Sequence, residues 1–223
     1  MQFSITEMWH EMGTVVRFIA YILILMSIIT VAVGIERFIA FYKAKAQSKN
    51  LLRLIAALWK EGKVRESLEL TRDKRFKSSH LAKVLSAGLF ELEFQEDSAA
   101  PYSQKIESAK RAIERATIKG IHEFKRGINA VGTVGATAPF VGLTGTVFGI
   151  INAFQGMALS GSGGIGAVAA GIAEALIMTG MGIALAVVAV WFFNYLINKV
   201  DVFTGEMANA SSELIDQYIK LNK

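Results

Sequence analysis

The sequence predicts an all-α membrane protein with three transmembrane helices and long cytoplasmic helical extensions. Apolar residues make up 52% of the chain and charged residues 19%, whereas soluble domains carry about 25% charged residues. The charges are clustered, which leaves uncharged stretches long enough to span a bilayer. No stretch shows the alternation typical of a strand, and no internal repeat is evident. Together these features indicate three membrane helices and a helical soluble region.

The first apolar run, 18–35, contains no charged residue. With its flanks, a helix over this run can cross a hydrocarbon core about 30 Å thick. A cleaved signal peptide would start with basic residues and end at a small-residue cleavage site. Here the stretch before Arg17 contains Glu7 and Glu11 but no Lys or Arg. We therefore expect a retained membrane helix that ends near Lys43.

Helical periodicity continues through the charged middle of the chain, from about residue 44 to 126. Apolar residues at 51, 52, 54, 55, 58 and 59 predict one helix, which Gly62 is expected to end. A short helix is predicted in the following stretch, VRESLELTRDKRF.

Serine and proline mark the starts of the next two predicted helices. Ser78 or Ser79 can cap the helix in SSHLAKVLSAGLFELEF. Pro101 interrupts the pattern, and Ser103 is expected to cap a long helix. That helix runs toward the second membrane segment without an obvious stop signal.

Two further membrane segments are predicted at about 128–156 and 165–198. As helices they would reach roughly 43 and 51 Å, which is longer than the bilayer core, so we expect them to project on the basic side. The stretch GSGGIG at 161–166 matches the dinucleotide-binding pattern. No strand precedes it and no acidic residue lies about 20 positions later, so a turn is the better interpretation.

The distribution of basic residues predicts the orientation. Nineteen of the 24 Lys and Arg residues fall between Lys43 and Arg126, interspersed with 11 Asp and Glu. This mixture favours a solvated cytoplasmic face over a nucleic-acid site. The predicted segments are a periplasmic N-terminal segment (1–17), a transmembrane helix (18–42), a cytoplasmic helical region (43–127), a transmembrane helix (128–156), a periplasmic turn (157–164), a transmembrane helix (165–198) and a cytoplasmic tail (199–223).

The composition argues against soluble enzymology. The chain has no cysteine, which excludes disulfides and thiolate metal sites. Its three histidines are far apart in sequence, and none has metal-ligand spacing with another. No phosphate-binding loop, zinc motif or nucleophile elbow is present. We expect no catalytic residues, no bound metal and no cofactor.

Small residues form one face of the second membrane segment, at steps of three and four: Gly135, Ala138, Gly142, Gly145 and Gly149. Such a face lets another backbone approach closely, so we expect it to pack against a neighbouring helix. The threonine hydroxyls of this segment are expected to bond partly to backbone one turn earlier, especially near Pro139.

Glu174 is the only Asp, Glu, Lys or Arg in the long stretch from Gly127 to Asn198. A charge at the bilayer centre costs roughly 3 kcal/mol on insertion scales. The residue must therefore be neutral, paired or in contact with water. A protonated Glu hydrogen-bonded to a neighbouring helix is one interpretation, but Gln would serve that purpose without titrating. A carboxyl can in addition take up and release a proton.

The stretches GTVGATAPFVGLTGTVFGIINAF and GIAEALIMTGMGIALAVVAV resemble the ExbB/TolQ/MotA family of ion-driven stator proteins. Three spans with a large loop after the first resemble the ExbB/TolQ branch. The resemblance implies a homopentamer, with the second and third helices lining a lumen that holds single-span ExbD/TolR-like partners, each with a membrane Asp. It also implies proton flow that drives motion, a TonB- or TolA-like protein to transmit it, and an inner-membrane location in contact with lipid.

The resemblance assigns the family's pore residues to particular positions. Its acidic residue falls on Glu174, and its two pore hydroxyls on Thr146 and Thr179. The chain departs from many members at Ala170, at Val187 and Val188, and at Thr144. The first two departures imply a straighter third helix, and the third adds a hydroxyl near the pathway.

Helix geometry limits which of these residues can face the lumen. Glu174 and Thr179 lie about 140° apart around an ideal helix, so both cannot point straight into one lumen; Glu174 is the preferred lumen residue.

Other functions remain open. A passive membrane scaffold, or a related stator for another envelope or motility process with sodium as its ion, remains an alternative. A solute transporter would show repeated halves or paired broken helices, and the sequence shows neither.

Overall fold

The computed structural model describes residues 12–95, 99–160 and 165–221, and within them it is helical without strands. This confirms the all-α class. The helices are α1 (Thr14–Lys60), α2 (Val64–Arg72), α3 (His80–Phe94), α4 (Tyr102–Lys125), α5 (Ile128–Ser160) and α6 (Ile165–Leu221), with a 3₁₀ turn at Lys74–Phe76. Three of them, α1, α5 and α6, are long and apolar enough to cross a membrane.

The first helix is continuous, so the prediction of one helix ending near Lys43 and another starting near residue 51 is wrong. Residues 43–50 contain neither Gly nor Pro, and nothing in them interrupts the backbone hydrogen bonds. The predicted end at Gly62 is confirmed. Gly62 has a φ of 75°, a left-handed conformation that glycine adopts without strain. The amide of Lys63 then bonds the carbonyl of Leu58 at 2.9 Å and closes the helix end.

One predicted cap is present and the other is not. The Ser79 hydroxyl accepts a hydrogen bond from the Ala82 amide, which confirms Ser79 as the N-cap of α3. The prediction that Ser103 caps α4 is wrong, because α4 begins at Tyr102 with Pro101 in the cap position. The Pro101 carbonyl accepts the Gln104 amide at 2.9 Å, so the rigid proline ring and its carbonyl start the helix without a side-chain cap.

A stop signal that sequence reasoning missed separates α4 from α5. Gly127 has a φ of 78°, and the chain turns there before α5 begins at Ile128. Further on, α5 continues to Ser160, into the predicted turn, whose residues 161–164 lie outside the described ranges. The predicted tail is also helical as far as Leu221. Helix ends do not mark membrane boundaries, so the predicted segment limits stay predictions.

The helices form two compact units. The first comprises Gly127–Tyr195 with the described residues up to Gly34, and the second comprises Ile35–Arg126 with the described residues from Leu196 onward. The first unit has a core of α1, α5 and α6 side chains: Val16, Ala20, Leu23, Val131, Ala138, Met178 and Ala189. The second has a larger core: Leu51, Ile55, Leu81, Leu85, Ile113, Met207 and Leu214.

A buried histidine joins three helices of the second unit. Nδ1 of His80 lies 3.0 Å from the hydroxyl of Ser48 on α1, and Nε2 lies 2.7 Å from Oε2 of Glu206 on α6. The Ser48 hydroxyl is also 2.8 Å from that of Ser79. Phe203 stacks on the imidazole, with ring centroids 4.4 Å apart.

A neutral imidazole satisfies every group in this network. Nε2–H donates to the Glu206 carboxylate, and Nδ1 accepts from the Ser48 hydroxyl. Ser48 then accepts from Ser79, which in turn accepts from the Ala82 amide. Burial lowers the pKa of His80 below its usual range, and the Glu206 carboxylate only partly opposes this effect.

This network predicts a loss of stability in acid. Because the folded-state pKa of His80 lies below the unfolded value of about 6.5, the unfolded chain takes up a proton first as the pH falls through that value. We expect the thermal unfolding midpoint, measured by circular dichroism in mild detergent, to decrease as the pH is lowered from about 7 to about 5. His80→Gln keeps a donor and an acceptor without titrating, so its midpoint should vary less. Equal pH dependence in the two proteins would contradict this role of His80.

Candidate ion-conducting site

The backbones of α5 and α6 touch at two glycines. A Cβ added at Gly142 would lie 2.7 Å from the carbonyl oxygen of Met178, and one at Gly182 would lie 2.6 Å from the carbonyl oxygen of Ala138. Both distances are shorter than any ordinary contact of a Cβ, and the obstructing atoms are backbone. Only glycine fits at either position without moving the two helices apart.

The other three predicted packing glycines also face α6. The nearest atom to a Cβ added there would be Val190 Cγ2 at 2.8 Å for Gly135, Met178 Cβ at 3.0 Å for Gly145 and Ala175 Cβ at 2.8 Å for Gly149. Two glycines of α6 that were not predicted as packing residues, Gly171 and Gly182, complete the contact from the other side. They are separated by about three full helical turns and so lie on one face of α6. This spacing was the sequence signal that could have predicted their packing role.

Thr146 on α5 and Thr179 on α6 are brought together across this contact. Their hydroxyls are hydrogen-bonded to each other. The Thr146 hydroxyl also lies 3.3 Å from the carbonyl oxygens of Gly142, on its own helix, and Ala175, on α6. The two threonines are far apart in sequence, so their meeting depends on how α5 packs on α6.

Glu174 lies on the other border of the same contact. The residues of α6 that pack on α5 include Gly171, Ala175 and Gly182, and on an ideal helix Glu174 and Thr179 fall about 70° to either side of them. Glu174 is half-buried, and its Oε1 atom is buried. Within one copy of the chain, the carboxyl and the pair of hydroxyls therefore occupy opposite borders of the α5–α6 contact.

The remaining threonines of α5 bond to their own helix, as expected. The hydroxyls of Thr133, Thr137 and Thr144 donate to carbonyl oxygens four residues earlier, at 3.0, 2.8 and 2.8 Å. Pro139 lies inside the helix and has no amide hydrogen to donate. The extra hydroxyl at Thr144 is therefore already bonded within α5.

The residues 77–209 match the family model described as the MotA/TolQ/ExbB proton channel family. The matched range includes α5 with its glycine face and the part of α6 that holds Glu174 and Thr179. The chain belongs to this family. The resemblance given by the sequence is thereby confirmed.

Named relatives lie on the ExbB side of the family. The chain is 31% identical to the biopolymer transport protein ExbB of Pseudomonas putida over 93% of its own length and 61% of the relative's, so it spans about three fifths of that protein. It is 29% identical to the ExbB protein of Salmonella typhimurium, over 95% of its own length and 85% of the relative's. A Xanthomonas campestris ExbB protein is 40% identical over 46% of this chain and 44% of its own length.

Family membership fixes the general role of the chain. Members are described as proton channels, a transport class rather than an enzyme class. With three helices able to span a bilayer, the chain is a multi-pass protein of the inner membrane with a role like that of a proton-channel stator subunit.

The α5–α6 contact gives a prediction for Gly142→Ala. The added methyl would meet the Met178 carbonyl oxygen at 2.7 Å, so the helices must separate, which should cost about 1–3 kcal/mol as in other overpacked sites. Gly180→Ala is the matched control, because a Cβ there meets nothing within 4 Å. It should be neutral or stabilising by about 0.5–1 kcal/mol from helix propensity. Thermal unfolding in detergent measures both, and equal midpoints would contradict the close contact.

Proposed function

We propose that the chain is the proton-conducting stator subunit of an inner-membrane motor that uses the proton motive force to energise an outer-membrane or envelope process. One observation carries the proposal: Glu174 is the only Asp, Glu, Lys or Arg from Gly127 to Asn198, and it borders the close contact of α5 and α6. A titrating group inside a membrane segment is costly, and such groups typically mark ion pathways and proton relays.

The subunit is proposed to act as a homopentamer with α5 and α6 around a central lumen. Large apolar side chains of both helices are exposed on the single chain: Phe140 is 69% exposed, Leu176 62% and Trp191 71%. Patches of this kind mark surfaces that lipid or other protein covers. Several copies would cover part of this surface and shield Glu174 from lipid.

The partner is proposed to be a single-span protein of the ExbD/TolR type that carries an Asp inside the membrane. As this Asp passes Glu174, it would alternately accept and give up a proton, so proton transfer would depend on the partner's position. The resulting motion would be passed on by a TonB- or TolA-like protein. The names of the relatives, biopolymer transport proteins, support a transport role of this kind.

The two hydroxyls are proposed to serve the same pathway from the other border of the contact. Each can donate and accept a hydrogen bond, so the pair can relay a proton or hold a water molecule without becoming charged. Because they do not titrate, Thr146 and Thr179 would assist proton movement, whereas Glu174 would exchange the proton.

We further propose that the N-terminus and residues 157–164 are periplasmic and that residues 44–127 and the C-terminus are cytoplasmic. The excess of Lys and Arg between Lys43 and Arg126 supports this orientation.

Single cysteines test the orientation, since the chain has none of its own. A membrane-impermeant thiol reagent should label Ser4→Cys and Ser162→Cys in intact cells. It should label Ser78→Cys, at an exposed position before α3, only after the cells are lysed. Labelling of Ser78→Cys in intact cells would show that the orientation is the reverse of the one proposed.

A passive scaffold is the second candidate, and the close glycine contact of α5 and α6 favours it. A scaffold would need the shape and hydrogen bonding of residue 174 but not its titration. Glu174→Gln separates the two functions, because it keeps the first and removes the second.

In the proposed motor, Glu174→Gln should assemble normally, and its proton flux should be at least about 100-fold lower than that of the wild type. This factor is the lower end of the rate contribution made by a positioned proton-transfer group. Glu174→Asp should retain a little flux, since its carboxyl is drawn back by one methylene. The measurements are proton uptake into sodium-free proteoliposomes that contain the partner, and envelope function in cells.

Native mass spectrometry of the same variants in mild detergent reports assembly, with five copies expected in each. Thr144→Val is a suitable control, because its hydroxyl is bonded within α5. If Glu174→Gln assembles and conducts at the wild-type rate, Glu174 has a structural role and the scaffold is the better account.

A further inference from the structure

A cavity of about 750 Å³ lies in the second unit, between the end of α2, the 3₁₀ turn, α3 and α4. This volume is within the range of about 300–1,000 Å³ that small-molecule sites occupy. The ion pathway proposed above lies in the first unit and uses none of the residues that line the cavity.

The lining of the cavity is strongly basic. It has five basic and two acidic side chains, and therefore a net charge of +3: Arg72, Lys74, Lys77, Lys83 and Lys119 against Asp73 and Glu123. A concave surface with this charge attracts anions and repels metal ions.

Both carboxylates are already engaged. Asp73 binds the side chain of Arg75, with Oδ2 2.7 Å from Nη2, and Arg75 does not line the cavity. Glu123 is paired with Lys83. Among the described residues, no ion pair is found for the other four basic side chains of the lining, so their charge is available to a ligand.

Part of this basic surface is held in place. The Arg72 guanidinium lies over the ring of Phe90, 5.2 Å from its centroid. Asp73 also accepts the Arg75 amide at 2.8 Å, which fixes the 3₁₀ turn that carries Lys74. Phe76 is buried beneath that turn and anchors it to the core. A ligand would meet a surface that is partly ordered before binding, which reduces the entropy lost on binding.

The shape of the cavity indicates the class of anion. Its volume far exceeds that of one phosphate group, and small residues on α3 and α4 line it between the charges: Ala82, Ala116 and Gly120. This lining suits an anion with more than one phosphate, or a phosphate attached to a larger group.

We propose that this cavity, which we call the basic cavity, binds a phosphate-bearing anion. Lysine ammonium groups and the Arg72 guanidinium are the usual donors to phosphate oxygens. The phosphate could belong to a soluble polyphosphate or to the headgroup of an anionic phospholipid. The lipid source is considered because Glu123, which lines the cavity, lies five residues before the start of the apolar helix α5 at Ile128.

The test uses the full chain and a double variant that removes two positive charges from the cavity, Lys77→Gln with Lys119→Gln. Both lysines are exposed, and no ion pair ties either of them to another described residue, so the variant should unfold at the wild-type temperature without ligand. The matched control is Lys49→Gln with Lys60→Gln, which removes the same charge from exposed positions of α1 outside the cavity.

Two probes distinguish the sources. Pyrophosphate is titrated onto the chain in neutral detergent and followed by calorimetry, and nanodiscs of phosphatidylcholine with and without phosphatidylglycerol are compared by thermal unfolding. We expect the cavity variant to raise the pyrophosphate Kd about fivefold or more, or to lose the stabilisation by phosphatidylglycerol, while the control keeps both. Lys77→Gln alone should give an intermediate effect.

An effect on pyrophosphate only identifies a soluble ligand, and an effect on phosphatidylglycerol only identifies a lipid headgroup. An effect on both supports the shared phosphate chemistry. If neither probe separates the cavity variant from its control, the proposal is wrong. The inference is independent of proton conduction, so Glu174→Gln should bind both probes as the wild type does.

Discussion

The first unit, which contains the helix pair α5 and α6, depends on the close approach of these two backbones at Gly142 and Gly182. Lipid tails are as apolar as the helix surfaces, so the hydrophobic effect drives helices together only weakly inside a bilayer. Close packing and weak polar contacts must supply the association, and both require short distances. With glycine at these positions, the helices come near enough for the Thr146 hydroxyl to bond Thr179 and to reach the Ala175 carbonyl. The polar groups of the site are therefore placed by residues that have no side chain.

The two units use burial of titratable groups in different ways. His80 is buried with a hydrogen-bond partner at each ring nitrogen, so its neutral form is the one that fits. Glu174 is half-buried at the border of a helix contact, where a partner or another copy could still reach it. The first arrangement suits a structural group, and the second is compatible with the proton exchange proposed for Glu174. Burial alone does not distinguish them; the access to the group does.

Local signals in the sequence were reliable where one residue decides the backbone. Gly62 ends α1 and Ser79 caps α3, because left-handed φ and side-chain capping depend on the residue itself. The prediction failed where a signal competes with its surroundings. Pro101, not Ser103, occupies the N-cap position of α4. The stretch after Lys43 is helical because it contains no residue that ends a helix. Gly127 was missed because one glycine next to an apolar segment looks the same whether it turns the chain or packs inside a helix.

The sequence by itself determined the fold class, the three apolar helices and the isolated carboxyl at Glu174, because composition and periodicity record which solvent each helix face meets. It also indicated the family, through the resemblance of two stretches in the second and third membrane segments. It also showed that Glu174 and Thr179 point in different directions, since that angle belongs to one helix. Only the tertiary structure decided that Thr179 meets Thr146, that Glu174 lies on the opposite border of the contact, and that four basic side chains without an ion pair among the described residues surround a cavity. Periodicity fixes where a residue lies around its own axis, but the neighbour it meets depends on how that helix packs against others distant in sequence.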